Sequence, residues 1–539
     1  MSTFRVLAAG AAGLALSLSL LAPGSTATAA AQHHGRLAPL IVRTRDGRVR
    51  GLYDDAAREF LGIPYAAPPV GALSWRPPQP ARPWAGIRNA RAFGHVCAQT
   101  GSLDTGVPST SDFENCLFLN VYTPKRETGR RPLPVMVWIH GGGFTGGAGS
   151  IYDSKVIAAK GNAVVVTINY RLNAFGFLAL PSLDNESADH SSGDYGLMDQ
   201  QAALRWVRAN ARAFGGDPHN VTIFGESAGG ASVCANMASP TARGLFQRAI
   251  AESGCTFLSQ TKEQAEASGA TFAAALGCTD PATAAGCLRA KPVAQILKAA
   301  DAFSWGPVTG GSTLPLSPLA AFQRGRYTHV PLLQGTNHDE GRFFVGFEFD
   351  IAQGHPMTPA QYPKVVAAQF GTSDAKKILA EYPLTNYKSP DLAYAAVFTD
   401  AEFSCPALLT DSLTARSGVY AYEFSDPHPP NDFPIHFSFP LGAAHSTELQ
   451  YVFQRIPLLD TIPPFTKAQL ALSDLMIGYW TRFAATGSPN GAPGNAPYWP
   501  RWPGSTGPIQ ELVPNNTAPE SFATFFTFHQ CAFWATILL

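Results

Sequence analysis

The sequence predicts an α/β fold in which helices flank a large, mostly parallel β-sheet. Short apolar runs rich in β-branched residues recur along the chain between glycine, proline and asparagine, a pattern typical of strands buried on both faces. Between two of these runs, residues 199–214 carry apolar side chains at helical spacing and end at Gly215 and Gly216, as a helix with a glycine stop does. Because strands and helices alternate, helices are expected to pack in layers on the sheet.

The predicted strands continue along the whole chain. The first form an N-terminal β-hairpin over residues 41–52, with Asp46 and Gly47 at its turn. No repeat, charge block or linker divides the chain, so residues 36–539 are expected to form a single domain. The predicted buried strands comprise residues 117–122, 133–140, 163–169, 221–224, 249–251, 330–334 and 419–424.

The composition excludes a strongly charged binding surface. Of the 539 residues, 45% are hydrophobic and 14% are charged, which is ample material for a large core. Lys and Arg together number 39, and so do Asp and Glu. Because the charges balance, the chain has no electrostatic footprint for nucleic acid or an anionic membrane. We therefore expect no nucleic-acid partner.

The N-terminal residues have the pattern of a secretory signal peptide. Arg5 precedes an apolar run over residues 6–21, and small residues follow at 26–31. This order predicts a signal peptide over residues 1–29, cleaved after Ala29. The alternative, a membrane anchor, is disfavoured because the run is short and no other segment is apolar enough to span a bilayer. We expect a secreted protein without a stable membrane span.

Eight cysteines are consistent with export. An even number of cysteines in an exported chain permits disulfides, and the pairs 97/116 and 278/287 are close enough in sequence to close short loops. None lies in a C-x-x-C motif, so neither a zinc site nor a redox dithiol is expected.

Ser227 carries the strongest indication of chemistry. It follows the apolar run 221–224 in a G-x-S-x-G motif whose glycines are Gly225 and Gly229. A sharp strand-to-helix turn of this kind lifts a serine hydroxyl clear of the backbone, and glycines tolerate the crowding. The motif alone is common by chance, so its meaning depends on a base, an acid and oxyanion donors elsewhere in the chain.

A glycine triplet supplies the candidate donors. Residues 141–143 follow directly on the strand predicted at 133–140. Three successive glycines leave backbone N–H groups unshielded, so two can point at one oxygen. A flexible tight turn is the alternative interpretation. In a chain that also contains an elbow serine we favour an oxyanion hole, formed by the N–H groups of Gly142, Gly143 and Ala228.

The candidate base is His445, because chain order in this fold class is serine, acid, histidine. Small residues surround it at 441–447 and leave room for a substrate. For the acid, Asp339 and Glu340 both follow the strand predicted at 330–334, and the residues alone leave that choice open. The histidines beyond Glu340 are His355, His428, His436, His445 and His529.

The chain contains eight sequence motifs in the order in which they occur in the type-B carboxylesterase and cholinesterase family of α/β-hydrolases. The chain therefore resembles this family from residue 41 to residue 534. The motifs are FLGIPYA at 60–66, ENCLFLNV at 114–121, HGGGF at 140–144, NYRL at 169–172, YGLMDQ at 195–200, FGGDP at 214–218, GESAG at 225–229 and NHDEG at 337–341. The resemblance implies the α/β-hydrolase fold and a catalytic triad of Ser227, Glu340 and His445.

The resemblance also implies further site residues. Family disulfides fall on Cys97–Cys116, Cys278–Cys287 and Cys405–Cys531, whereas Cys234 and Cys255 have no family partner and are either bonded to each other or buried thiols. In the family, residues matching Glu226, Ser253 and Glu448 form an accessory polar cluster near the histidine. A purely structural carboxylate is the alternative for Glu226.

The implied activity is hydrolysis of small-molecule carboxylic esters, by a monomer that uses no cofactor and no metal. Residues 98–115, inside the first disulfide loop, contain no tryptophan on which a choline ammonium could rest. The loop is short and polar, so a carboxylesterase for short-to-medium esters is expected. The alternatives are a lipase or sterol-esterase-like activity on long-chain esters and, more remotely, a non-catalytic adhesion protein, which typically lacks the serine nucleophile.

Overall fold

A mixed β-sheet runs through the centre of the computed structural model. The structure describes residues 37–101, 107, 109–126, 131–255, 259–430, 436–454, 464–491 and 496–538. The predicted signal peptide lies outside these residues. The strands are β1 Ile41–Arg43, β2 Arg48–Arg50, β3 Leu52–Tyr53, β4 Ala57–Pro64, β5 Ile87–Asn89, β6 Phe118–Pro124, β7 Leu133–Ile139, β8 Val164–Ile168, β9 Gly216–Glu226, β10 Arg248–Glu252, β11 Gln260–Thr261, β12 Val308–Thr309, β13 Leu332–Asn337, β14 Val419–Phe424, β15 Ile509–Leu512 and β16 Ala518–Glu520.

The central sheet is mostly parallel, as predicted. Among the described residues its strand order is β16-β15-β14-β13-β10-β9-β7-β8-β6-β4-β3. The seven strands from β15 to β8 pair in parallel, whereas β16 and the three strands beyond β8 pair antiparallel. The strand predicted at residues 117–122 is therefore an antiparallel member of the sheet, which its apolar pattern could not indicate.

The N-terminal hairpin lies in a separate small sheet. Strand β1 pairs antiparallel with β2 in the register Ile41↔Arg50, and β5 joins β2. The backbone N–H of Thr44 donates to Gly47 O at 2.9 Å across the turn. The prediction of a hairpin with Asp46 and Gly47 at its turn is confirmed. Strands β11 and β12 form a further two-stranded sheet.

Helices pack on both faces of the central sheet, because alternate side chains of β7 are buried on opposite sides. Val137 belongs to the apolar cluster that contains Leu204 of α4, whereas Trp138 belongs to the one that contains Trp480 of α15. The helices are α1 Lys155–Lys160, α2 Asn173–Phe177, α3 Pro181–Asp184, α4 Tyr195–Asn210, α5 Ala228–Ala238, α6 Lys262–Ala275, α7 Ala284–Arg289, α8 Val293–Ala300, α9 Pro318–Gln323, α10 Gly341–Val345, α11 Tyr362–Glu381, α12 Pro390–Thr399, α13 Cys405–Thr414, α14 Leu449–Phe453, α15 Lys467–Thr486, α16 Phe522–Phe528 and α17 Cys531–Leu538.

This topology gathers the candidate site at one edge of the sheet. Strands β7, β9, β10 and β13 are parallel, and their carboxyl ends lead directly into the glycine triplet, Ser227, Ser253 and the Asp339–Glu340 pair. Open α/β sheets bind their ligands at the carboxyl ends of parallel strands. Of the helices in the described part of the chain, none is long and apolar enough to cross a membrane.

All eight cysteines form disulfides. Cys97 is bonded to Cys116, Cys278 to Cys287, and Cys405 to Cys531, which are the three bonds that the resemblance implies. Cys234 is bonded to Cys255, and this bond decides between the two interpretations that the sequence left open. It ties helix α5, which follows Ser227, to the segment that follows β10.

Candidate active site

Ser227 stands at a sharp turn between strand β9 and helix α5. Its backbone angles, φ 55° and ψ −125°, are unfavourable for a residue with a side chain. The N–H of Ser227 donates to Glu252 O at 3.0 Å and holds the turn against β10. Ser227 is half-buried, whereas its neighbours Glu226 and Ala228 are buried. The turn therefore presents the hydroxyl to the surroundings, as a nucleophile requires.

The glycines of the elbow allow close packing of two backbones. A Cβ on Gly229 would overlap the carbonyl oxygen of Ile139 at the end of β7, and a Cβ on Gly225 would lie 2.5 Å from the same oxygen. A Cβ on Gly254 would overlap Ser227 O. Substitution at any of the three positions would push the elbow away from the neighbouring strand ends.

The glycine triplet lies directly against the nucleophile. A Cβ on Gly141 would lie 2.9 Å from Glu226 Oε2 and 3.0 Å from Ser227 Cβ. Gly142 and Gly143 have φ values of 101° and 60°, which side chains disfavour. Among the described residues, no backbone carbonyl accepts from the N–H groups of these two glycines. Ala228 opens α5, where N–H groups lack intrahelical partners. The three predicted donors are thus available to an oxyanion.

His445 and Glu340 form a short hydrogen bond. His445 Nδ1 lies 2.6 Å from Glu340 Oε2, and both side chains are buried. The other carboxylate oxygen of Glu340 accepts from the N–H of Asn337 at 2.7 Å. Because both oxygens are held, Glu340 can fix the orientation of the imidazole ring and the tautomer with its proton on Nδ1.

Asp339 faces a different partner. Its carboxylate lies 2.8 Å from Arg342 Nη2 and accepts from the N–H of Ala443 at 3.1 Å. It therefore holds the loop that carries His445 without touching the imidazole. Of the two carboxylates that the sequence left open, the structure brings Glu340 to the histidine.

Glu226 is the second carboxylate near the histidine. Glu226 Oε1 lies 3.1 Å from His445 Nε2 and accepts from the hydroxyl of Ser446 at 2.7 Å. His445 Nε2 itself has no hydrogen-bond partner among the described residues, so Ser227 is not hydrogen-bonded to it here. Contacts between a nucleophile and its base commonly tighten only when substrate is bound.

These carboxylates change the pKa of the histidine. Burial lowers the pKa of His445, but the charges of Glu226 and Glu340 and the hydrogen bond that His445 donates to Glu340 outweigh it, and the pKa is raised above its ordinary value. Burial raises the pKa of Glu226, against the charge of His445 and the hydrogen bond from Ser446. The site therefore favours a positively charged imidazole, the form that a general base acquires during catalysis.

The other two accessory residues lie behind this pair. Glu448 Oε2 accepts a hydrogen bond from the Asn337 side chain, and burial together with Glu226, Glu252 and Glu340 raises the pKa of Glu448 well above its ordinary value. The hydroxyl of Ser253 is buried and has no hydrogen-bond partner among the described residues. The imidazole of His445 thus contacts Glu226 and Glu340, whereas Glu448 is hydrogen-bonded to Asn337 instead.

An aromatic wall surrounds the histidine, and none of its rings is among the residues predicted from the sequence. The rings of Phe343, Phe344 and Phe403 have their centroids 5.8, 4.8 and 5.1 Å from that of His445. The first two follow Glu340 by three and four positions, one helical turn, and this spacing was a usable signal. Phe403 comes from a π-helical segment, Asp400–Ser404, and nothing in the local sequence indicates it.

Known proteins resemble most of the chain. Residues 38–534 match the sequence model of the Carboxylesterase family. The para-nitrobenzyl esterase of Bacillus subtilis (strain 168) is 38% identical over 471 residues, which cover 84% of this chain and 90% of the relative. The fumonisin B1 esterase of Sphingopyxis macrogoltabida is 35% identical over 487 residues, which cover 86% of this chain and 85% of the relative.

Solved structures of esterases also resemble the chain. A thermophilic PNB esterase has a TM-score of 0.77 at 35% identity, and the match covers 91% of this chain and 99% of that one. The fold is that of the α/β-hydrolases. The chain belongs to the carboxylesterase family and is a carboxylic ester hydrolase.

Proposed function

We propose that the enzyme cleaves esters through an acyl-enzyme intermediate on Ser227. The observation that carries this proposal is the hydrogen bond of 2.6 Å between Glu340 and His445, at the same sheet edge as the strained elbow of Ser227. Nδ1 of His445 then holds a proton toward Glu340, and Nε2 of the neutral imidazole accepts the proton of Ser227. The resulting Ser227 Oγ attacks the ester carbonyl carbon.

The oxyanion of the tetrahedral intermediate is then held by the N–H groups of Gly142, Gly143 and Ala228. Each such donor contributes about 3 kcal/mol of transition-state stabilisation. His445 passes its proton to the departing alcohol, and the acyl group stays on Ser227. Water then gives a proton to His445 as its oxygen attacks the acyl carbon. The bond from that carbon to Ser227 Oγ breaks, His445 returns the proton to Ser227, and the carboxylic acid leaves.

Labelling with a fluorophosphonate probe tests this proposal. The probe forms a covalent bond only with an activated serine, so mass spectrometry should find one adduct, on the peptide that contains Ser227. Ser227→Ala should abolish the adduct. A folded wild-type enzyme that takes no label would contradict both the nucleophile assignment and the mechanism, and would favour the non-catalytic alternative.

Glu226 is proposed to stabilise the protonated histidine. We expect Glu226→Gln to move the acid limb of the kcat/KM–pH profile to lower pH by about one unit, because a carboxylate within 4 Å favours the imidazolium. The direction of this shift follows from the proposed mechanism. Activity needs a neutral His445, so it is lost as the pH falls through the raised pKa of that histidine. Without the charge of Glu226 that pKa falls.

Glu448→Gln is the matched control for this prediction. The pKa of His445 is raised by Glu226 and Glu340, whereas Glu448 is hydrogen-bonded to Asn337, so this substitution should leave the acid limb in place. An acid limb that stays at the same pH in Glu226→Gln would show that Glu226 is only structural.

The proposed substrates are short-to-medium esters. The aromatic wall beside His445 offers a flat apolar surface to the group next to the reacting carbonyl. The first disulfide loop, between Cys97 and Cys116, is too short and polar to form an apolar lid. The names of two relatives, a para-nitrobenzyl esterase and a fumonisin B1 esterase, also favour substrates other than long-chain lipids.

Chain-length preference is tested with two triglycerides. We expect measurable hydrolysis of tributyrin below its solubility limit and little hydrolysis of emulsified triolein, because the first disulfide loop is too short and polar to open as an apolar lid on a lipid surface. A rate that jumps once a long-chain lipid exceeds its solubility limit would contradict the prediction and support the lipase alternative.

We further propose that residues 1–29 are a signal peptide and that residues 36–539 act outside the cell as a monomeric single domain. Four disulfides support an oxidising compartment, because such bonds form and persist there.

A further inference from the structure

A second cluster of titratable side chains lies close to the acid loop but outside the site described above. His338 follows strand β13, Glu423 belongs to β14, and His529 follows helix α16. Glu423 Oε1 lies 3.1 Å from His338 Nδ1 and 2.7 Å from His529 Nε2. One ligand atom from each residue lies within 4.8 Å of the other two, which no other trio in the described part of the chain matches. Two imidazole nitrogens and a carboxylate oxygen thus converge on one point.

His529 is held by a further carboxylate from the opposite side. Its Nδ1 lies 2.6 Å from Asp400 Oδ1, and Asp400 also accepts from the hydroxyl of Tyr382 at 2.6 Å. This hydrogen bond keeps the Nδ1 proton on the Asp400 side and turns Nε2 toward Glu423. A carboxylate that orients the far nitrogen of a histidine is the usual companion of a metal-binding histidine.

Further carboxyl groups lie around the cluster. Glu511 pairs with Glu423 across neighbouring strands β14 and β15. Glu520 on β16 has a buried Oε2 without a hydrogen-bond partner among the described residues. Burial and the charges of Glu423 and Glu511 raise the pKa of Glu520 to about 7. A cation bound at the cluster would therefore lie among carboxyl groups.

The cluster is open to solvent on one side only. His338 is 31% exposed, whereas the side chains of Glu423 and His529 are buried. His338 and Asp400 line a cavity of about 430 Å³ together with Phe528. The cavity gives a metal ion a path of entry and leaves room for water as a further ligand.

We propose that His338, Glu423 and His529 bind Zn²⁺ or a chemically similar divalent metal, with water from the cavity as fourth ligand. Two histidines and one glutamate are a known ligand set for zinc, with bonds of about 2.0–2.2 Å. Such bonds in a tetrahedral site place ligand atoms about 3.4 Å apart, so the nitrogens of His338 and His529 need to lie about 0.3 and 0.7 Å farther from Glu423 Oε1 than their present 3.1 and 2.7 Å. The partly exposed His338 is free to adjust, whereas the buried His529 has to shift together with Asp400, which holds its other nitrogen.

A metal at this position would join three parts of the chain near Glu340. His338 lies two positions before Glu340, and its backbone N–H donates to Phe424 O at 2.9 Å. His529 lies two positions before Cys531, which is bonded to Cys405. The ion would therefore fasten the acid loop to β14 and to the C-terminal helices. This role is separate from acyl transfer.

Titration of the metal-stripped, full-length enzyme with ZnCl₂ tests the site. The measurement is made at pH 8, since a metal must displace a proton that can occupy the same position. We expect wild type to bind one equivalent of Zn²⁺ and to give with Co²⁺ the visible absorption of a tetrahedral site. His338→Gln should weaken Zn²⁺ binding by at least tenfold and remove the Co²⁺ absorption.

His219→Gln is the matched control, because His219 is exposed on β9 outside the cluster, and its Zn²⁺ affinity should equal that of wild type. Zn²⁺ should also raise the Tm of wild type but not that of His338→Gln. The proposal is overturned if wild type binds no stoichiometric Zn²⁺, or if His338→Gln binds it equally well. Ser227→Ala should bind Zn²⁺ normally, so failure of the proposed mechanism and failure of the metal site give different results.

Discussion

Ser227→Ala is expected to lower kcat by about 10⁵- to 10⁶-fold, with little change in KM or in Tm. Without the hydroxyl no acyl-enzyme forms, and only the oxyanion donors and substrate binding remain to accelerate attack by water. The lost side chain is small and half-buried, and the elbow is held by backbone contacts such as that of Ser227 N–H with Glu252 O. Stopped-flow measurement with a chromogenic short-chain ester should also show that the burst of released alcohol disappears.

Two variants make this experiment specific. Glu340→Gln keeps the nucleophile but can no longer fix the proton of His445 on Nδ1 by charge, and kcat should fall by about 10⁴-fold. Ser412→Ala changes a serine whose hydroxyl only donates to Leu408 O within its own helix, and kcat should be unchanged. If Ser227→Ala retained more than a few per cent of wild-type kcat, Ser227 would not be the nucleophile.

The sequence predicts those parts of the site that depend on short segments. The elbow at Ser227 and the glycine triplet follow directly from strands that end in glycine-rich turns, and the structure places Gly141 against Glu226 and Ser227. The choice between Asp339 and Glu340 is different. The two carboxylates are adjacent, and only the position of the His445 loop decides which of them meets the imidazole.

Contacts between distant segments could not be predicted in this way. Phe403 reaches His445 because a π-helical turn redirects the chain, and no periodicity marks such a turn. Cys234 and Cys255 are bonded because α5 packs along β10. The number and spacing of the cysteines in the sequence do not reveal this proximity. His338, Glu423 and His529 converge for the same reason, since they belong to elements that are adjacent only in the folded sheet. The pattern of strands and helices specifies the sheet edge, whereas the packing of loops and helices determines which side chains meet there.

The largest effect on stability is expected from Asp199→Ala. Arg171, which follows β8, donates two side-chain hydrogen bonds to Asp199 on α4, from Nε at 2.7 Å and from Nη2 at 2.8 Å. Both side chains are buried. Removal of one partner leaves an uncompensated buried charge and should lower the free energy of unfolding by about 3–5 kcal/mol. For a chain of this length that corresponds to a fall in Tm of about 4 °C, which differential scanning calorimetry measures.

The double variant Arg171→Met/Asp199→Leu separates the charge from the packing. If an unpaired charge is the cause, removal of both partners should restore most of the lost stability, because apolar side chains of similar size replace a buried ion pair at little cost. A double variant as unstable as Asp199→Ala would instead assign the loss to packing.

The ion pair of Arg171 and Asp199 also bears on catalysis, since Tyr170, next to Arg171, donates its hydroxyl hydrogen to His140 O at 2.9 Å. Asp199→Ala should therefore also lower kcat, because the glycine triplet loses the support that holds its N–H groups beside Ser227.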